Sequence, residues 1–238
     1  MGSRLGIVVL LSVVLGMPSG QGTPRMQGPA AVSESVSGRP LPGALVPLPP
    51  PVTKGKVSLE EVLATRRSVR ALTGDPLTPE RLGQLLWSAQ GITQPRRGLR
   101  TAPSAGALYP LEVYAVTPEG VFKYQPADHA IRKVKTGDVR KDLAAAALGQ
   151  SSVAQASADL VITAVYARTA RKYGERAERY VHIEVGCAAE NVLLQATALG
   201  LGAVPVGAFE DRAVKQVLGC PDEEEPLLII PVGQPASR

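Results

Sequence analysis

From about Arg179 to Leu199 the chain reads RYVHIEVGCAAENVLLQATAL, the longest helical signal in the sequence and apolar on nearly every side. A helix of this kind has no face suited to water, so it must lie in a core or at a subunit interface. At 1.5 Å per residue it is about 30 Å long, the width of a small domain. The other elements must pack around it or leave a surface for a partner.

Those elements can be read in turn. SLEEVLATRRSVR opens with Ser58 and Glu61 as a capping box, and Leu59, Val62 and Leu63 follow at helical spacing. TPERLGQLLWSAQG gives a second helix, with Thr78 as cap, Pro79 in the first turn and Gly91 at the exit. LEVYAV (111–116) and VFKY (121–124), separated by TPEG, predict an antiparallel hairpin. GDVRKDLAAAALGQ is a further capped helix, and DLVITAVYA, from Asp159, is apolar and β-branched enough for a central strand. After the long helix come a short extended AVPVGAF, a surface helix in EDRAVKQVLG and a closing strand in PLLIIPVG. Helices flanking a sheet built from hairpins predict an α+β fold. The 238 residues, 45 % hydrophobic and 20 % charged, supply one substantial core or two small ones.

The chain has three parts. Residues 1–22 carry Arg4 and then an uncharged apolar run from Leu5 to Met17. That run is too short for a membrane span, which needs roughly 20 residues, and it fits a signal-peptide core with Ser19, Gly20 and Gly22 as cleavage positions. The expectation is export to the periplasm or the extracellular space, with no stable membrane span in the mature protein. The alternative is an uncleaved anchor or a misassigned start, the latter leaving the protein cytoplasmic. Residues 23–57, including RPLPGALVPLPPPVTKGK, predict a disordered proline-rich linker, because proline removes backbone donors and favours extended chain. The folded domain is expected over 58–236.

Several kinds of chemistry are excluded. The net charge of +5 comes from 26 basic and 21 acidic residues that are interleaved, and only 4 % of residues are aromatic, so no nucleic-acid platform is present. Cys187 and Cys220 form neither a disulfide framework nor a zinc site, although one bond between them stays open. His129 and His182 lack carboxylates at metal-ligand spacing; His129 is expected to face solvent and His182 to lie in the core or an interface. No phosphate loop or dinucleotide fingerprint occurs, and Ala102–Gly106 is only a loose likeness of a nucleophile elbow.

What remains is a pattern of arginines and thin loops. Arg66, Arg67 and Arg70 lie within five positions around Ser68, and on a helix 66 and 70 share a face. Such a cluster is either an anion site, since Arg grips phosphate bidentately, or a solvated helix end that complements the dipole. Arg100 precedes TAPSAGALYP, a loop of small side chains held between prolines. GLGAVPVGAF repeats the theme with Gly202, Pro205, Gly207 and Ala208. Two rigid loops that let backbone approach a ligand, together with an arginine cluster, suit a flat heterocycle with a phosphate tail.

ATRRSVR, LLWSAQGIT, RTAPSAGALYPLEVY, KYGERAERYVHIEVG, ENVLLQATALGLGAVPVGAF and PLLIIPVG occur in the order found in the nitroreductase superfamily, and the chain resembles its SagB-type dehydrogenase branch from about Ser58 to Pro235. That resemblance implies an FMN-dependent oxidoreductase with a mostly antiparallel sheet flanked by helices, built as an intertwined homodimer with flavin at the interface. It implies that Arg66, Arg67, Ser68 and Arg70 hold the FMN phosphate and ring. Pro103, Ser104, Ala105 and Gly106 match the loop laid along the flavin by a partner subunit, and Pro205, Val206, Gly207 and Ala208 match the segment passing its reactive edge. In the azoline-oxidising members a Lys-Tyr pair is linked to proton abstraction, and Lys172 and Tyr173 occupy that place. Hydride then passes through flavin N5 by a ping-pong scheme, with NADH or NADPH as a candidate donor and a small-molecule substrate. Gln234 replaces the family's C-terminal basic residue, and a signal peptide is unexpected beside cytosolic azoline chemistry. A different class, an exported module that binds flavin or another ligand without turnover, is the alternative.

Overall fold

The structure, a computed structural model, describes residues 43–236. In chain order these form β1 (Leu45–Pro47), α1 (Leu59–Thr65), β2 (Leu72–Thr73), α2 (Pro79–Gln90), β3 (Ile92–Gln94), β4 (Leu99–Arg100), β5 (Leu111–Thr117), β6 (Gly120–Gln125) and β7 (Ala130–Thr136). Then follow α3 (Arg140–Ala146), α4 (Ser151–Ala154), β8 (Ala158–Ala164), α5 (Tyr166–Tyr173), α6 (Ala177–Ala198), β9 (Gly202–Ala203), α7 (Asp211–Leu218) and β10 (Glu225–Pro235). The main sheet has the order β1-β7-β6-β5-β8-β10-β2, with β9 also on β10, and every ladder is antiparallel.

Both faces of the sheet are covered. On β5, Leu111, Val113 and Ala115 point into a core with α2 and α6, while Tyr114 and Val116 point into a second core with α3, α4 and α7. On β8, Leu160 and Ile162 take the first side and Val161 the second, so period-two alternation emerges as a continuous apolar run. The α+β expectation holds, with helical layers on both faces of a central antiparallel sheet.

The long helix is half buried. Ala177, Val181, Glu184, Val185, Ala188, Val192 and Ala196 face inward, whereas Arg179, His182, Ile183, Gly186 and Glu190 are exposed, Ile183 at 58 %. His182 therefore lies on the open face, where its ring meets the Tyr166 hydroxyl at 2.7 Å. Both cysteines are free thiols.

Four local differences have physical causes. Residues 43–57, expected within the disordered linker, run along the domain. β1 pairs with β7, and the Gln84 amide bridges the Val52 N–H and C=O at 2.8 and 3.0 Å. His129, expected in solvent, joins the same seam, with Nδ1 2.9 Å from the Tyr124 hydroxyl and Nε2 2.8 Å from Pro49 O. β7 escapes sequence reading because AIRKVKT is heavily charged, yet Lys133 is buried with its ammonium 5.0 Å from the Phe122 ring centre. Gly91 ends α2 at a negative φ of −64°; glycine is needed there because an added Cβ would stand 2.1 Å from the Trp87 ring. Residues 1–42, with the expected signal peptide and most of the linker, lie outside the described residues.

Candidate functional site

The arginine cluster leaves α1 instead of continuing it. Arg66 caps the helix, its N–H donating to Val62 O at 2.8 Å, and turns out with ψ of 129°. The next residues are extended: Ser68 bridges Ala203 in parallel, and the Val69 N–H donates to Ala203 O at 3.0 Å. The shared helical face expected for Arg66 and Arg70 is thus replaced by strand-like alternation. Val69 turns in against Gly202, where an added Cβ would lie 2.7 Å from its side chain, and Ser68 and Arg70 are exposed.

Few acceptors serve these guanidinium groups. Arg66 Nε lies 3.8 Å from Glu190 Oε1 of α6. Arg67 folds onto carbonyls of its own segment, Arg66 O at 2.7 Å and Ala64 O at 3.1 Å. Among the described residues Arg70 makes no hydrogen bond or ion pair. Three cations, of which only Arg66 meets a carboxylate, retain donors that a phosphate would take. Alongside runs the strip from Pro205 to Ala208. Val206 is buried, exchanging backbone hydrogen bonds of 2.8 and 3.0 Å with Ile229, while Pro205, Gly207 and Ala208 are exposed. Nothing lies within 4 Å of the place a Gly207 Cβ would occupy, so the strip presents bare backbone. This arrangement fits a flat, phosphate-bearing group such as FMN. Gln234, at the position that lacks a basic residue, pairs with Thr73 in the β10–β2 ladder.

A second group forms around the loop from Pro103 to Tyr109. Gly106, Ala107 and Tyr109 all have positive φ, of 62°, 55° and 47°. For the two non-glycine residues this conformation costs on the order of 1 kcal/mol each, so it persists only where contacts hold it. Ser104 Oγ accepts the Tyr109 N–H at 2.9 Å, Ser104 O accepts the Ala107 N–H at 3.0 Å, and Arg168 of α5 donates to Tyr109 O at 3.1 Å. The bend brings Gly106 against the end of α5. A Cβ there would stand 2.9 Å from the Tyr173 hydroxyl and 3.0 Å from Lys172 Nζ. The loop and the Lys-Tyr pair, far apart in sequence, are therefore brought together. Tyr173 is held edge-on to Tyr180, with ring centres 4.9 Å apart.

Beneath the loop lies a polar cluster that sequence reasoning missed apart from Arg100. The Arg100 guanidinium donates to Gln90 Oε1 at 2.9 Å and stacks over the Tyr109 ring at 4.4 Å. Burial lowers its pKa, opposed by the negative charge of Glu112, which also pairs with Arg168 and Lys123. Glu184 of α6 is 3 % exposed, and burial pushes its carboxyl up to about 7 against the smaller pull of the Ser104 hydroxyl and Arg100. Its Oε1 and the Gln90 Nε2, both buried, have no hydrogen-bond partner. The available signal in the sequence was a lone carboxylate on the inward face of an otherwise apolar helix.

Among the described residues no hydrogen bond or ion pair joins the arginine group to the loop group. They share α6, which sets Glu184 under the loop and Glu190 against Arg66, six residues or about 9 Å apart along the axis. A separate cleft of about 740 Å³ is lined by Val57, Leu59, Val62, Trp87, Leu194 and Leu199, and by none of the residues expected at the site. No cluster of His, Cys, Asp and Glu suited to a metal occurs among the described residues.

The sequence profile of the nitroreductase family matches residues 63–234, which span both groups. The chain belongs to the nitroreductase family. A protein of Methanocaldococcus jannaschii assigned as a nitroreductase is 48 % identical over 185 residues, covering 75 % of this chain and 92 % of its own. The crystal structure of a protein of Ralstonia eutropha, also assigned as a nitroreductase, superposes with a TM-score of 0.74 at 30 % identity, over 82 % of this chain and 90 % of that one. The NADPH:FMN oxidoreductase of Vibrio harveyi, solved with NAD⁺, shares the fold at a TM-score of 0.57 and 23 % identity, over 75 % and 69 %. As a nitroreductase family member the chain is an oxidoreductase.

Proposed function

We propose that the protein is an FMN-dependent oxidoreductase of the SagB-type dehydrogenase branch, acting as an intertwined homodimer on a small molecule. The observation that carries this reading is the division of the site: an arginine group with a bare backbone strip, and a thin loop with a Lys-Tyr pair, each half of a flavin pocket. In a twofold dimer the loop of one protomer meets the arginine strip of the other, and both halves are completed twice. Exposed apolar side chains support a partner surface, with Leu59 at 59 %, Leu63 at 54 % and Ile183 at 58 %.

FMN held by the residues of these two halves would supply hydride transfer between two substrates in turn, a ping-pong scheme. The protein's part is position and charge. Arg66, Arg67 and Ser68 hold the phosphate, and Arg70 places positive charge beside the ring. Pro103–Gly106 of one protomer and Pro205–Ala208 of the other confine it. Lys172 and Tyr173 exchange protons with a substrate lying against Gly106. The chain is proposed to act after export, by way of its leader; retention in the cytoplasm is the alternative.

The deciding experiment is the visible spectrum of the purified chain lacking residues 1–22, before and after anaerobic NADH or NADPH, with its mass in solution. A dimer whose flavin band bleaches supports the proposal and names the donor. A band that persists with every nicotinamide and dithiol-linked donor favours the exported binding module. A colourless protein that ignores added FMN overturns both.

A further inference from the structure

We propose that Glu184 is the internal proton store of this site, exchanging a proton with the Lys172–Tyr173 side through the Ser104 hydroxyl. The inference rests on the oxidoreductase reading above and concerns where the proton that accompanies each hydride comes from.

Three observations place Glu184 in this role. It is 3 % exposed on the inward face of α6, with one carboxyl oxygen lacking any hydrogen-bond partner, an arrangement that does little for stability. It neighbours Ser104, whose Oγ already accepts the Tyr109 N–H at 2.9 Å and so keeps its own proton for another acceptor. Two residues on, the bare Cα of Gly106 faces the Tyr173 hydroxyl and Lys172 Nζ. Ser104, beside the buried acid, and Gly106, against the working pair, thus belong to one short bend.

The charged surroundings suit reversible release. Arg100 of β4 is the cation that acts on the carboxylate, and it is restrained by Gln90, Tyr109 and Glu112. Arg168 of α5 is occupied by Glu112 and Tyr109 O, leaving Lys172 and Tyr173 as the titratable groups across the loop. Burial holds the Glu184 carboxyl near pH 7, where it gives and regains a proton readily.

The step balances. The Glu184 O–H bond breaks as its proton moves to Ser104 Oγ, and the Ser104 proton leaves for Lys172 or Tyr173 after that group has protonated the substrate. The electron pair comes as hydride from the nicotinamide donor, the carboxylate left behind faces Arg100, and water restores the proton between turnovers.

Menadione, which needs protons as well as electrons, and ferricyanide, which takes electrons alone, separate this role from a structural one. With NADPH or NADH as donor, Glu184→Gln and Ser104→Ala should each lower the ratio of menadione to ferricyanide turnover at least tenfold, and Glu184→Asp should recover part of it. An unchanged ratio in both variants overturns the proposal. Should Glu184→Gln fail to fold, Ser104→Ala carries this test. A second readout needs no flavin: the infrared carbonyl band of a protonated carboxyl, followed from pH 5 to 9 in the cofactor-free protein. A band that fades near pH 7 and is missing in Glu184→Gln supports proton exchange at Glu184. If the difference between wild type and Glu184→Gln shows no carboxyl band that fades over that range, the proposal is overturned, whether or not the protein proves to bind FMN.

Discussion

Replacing Glu184 with glutamine keeps the size and polarity of the side chain but removes its titration, and that difference should appear in stability as well as in turnover. The native carboxyl is held up to about 7 from an ordinary 4.5, chiefly by burial. A raised carboxyl makes the folded state the better proton binder, so native stability is lost as pH rises from about 4.5 to about 7 and is constant beyond. About 2.5 units at 1.36 kcal/mol per unit set an upper limit of about 3 kcal/mol, of which a little under 1 kcal/mol is already lost at pH 5. Glutamine carries no such loss. Urea unfolding at pH 5 and pH 8.5 should therefore show the variant gaining roughly 2 kcal/mol on the wild type between the two conditions. The comparison cancels packing changes that do not depend on pH. A variant that tracks the wild type at both pH values would show that Glu184 is ionised in the native protein, and the argument from burial would be wrong.

Other side chains give separate tests. Glu224 is buried and accepts from Tyr114 at 2.8 Å, Thr163 at 2.9 Å and Lys123 at 2.5 Å, so Glu224→Ala should cost about 3 kcal/mol in urea unfolding by stranding all three donors. Gly106→Ala puts a methyl 2.9 Å from the Tyr173 hydroxyl; turnover should fall at least tenfold, measured as NADH or NADPH oxidation. Arg66→Ala combined with Arg70→Ala should weaken FMN at least tenfold by fluorescence titration, and more steeply at low salt. Asp159, fully buried with neither oxygen bonded, has its pKa raised by burial, so Asp159→Asn should gain on the wild type as pH rises above about 4, measured by thermal melts.

Elements whose burial follows a simple period were legible from sequence. α2, α6, β5, β6, β8 and β10 appear near their expected places because each sits in a core whose pattern is written in consecutive residues. Legibility failed where a distant partner decided the outcome. Arg66 to Arg70 keep a helical spacing, but pairing with Ala203 pulls them straight. β7 hides behind Arg132, Lys133 and Lys135, since nothing local tells which lysine will be buried. The arginine cluster and the thin loops stood out in the sequence, but Glu184 and Gln90 did not, because a buried polar residue is distinguished only by what surrounds it.

The short β1 determines how the sheet ends. It covers the rim of β7 from Ala130 to Arg132, and the prolines at and after its end, Pro47, Pro49, Pro50 and Pro51, offer no N–H to a passing strand. At the opposite rim β2 is only two residues long. Both borders are thus closed to strand-by-strand growth, one by a proline fringe and the other by brevity. Cutting the chain at Ser58, where the composition changes, would strip the fringe and leave His129 without its Pro49 acceptor. Such a fragment would expose a seven-residue ladder edge, and its failure in the test tube would be aggregation rather than loss of chemistry.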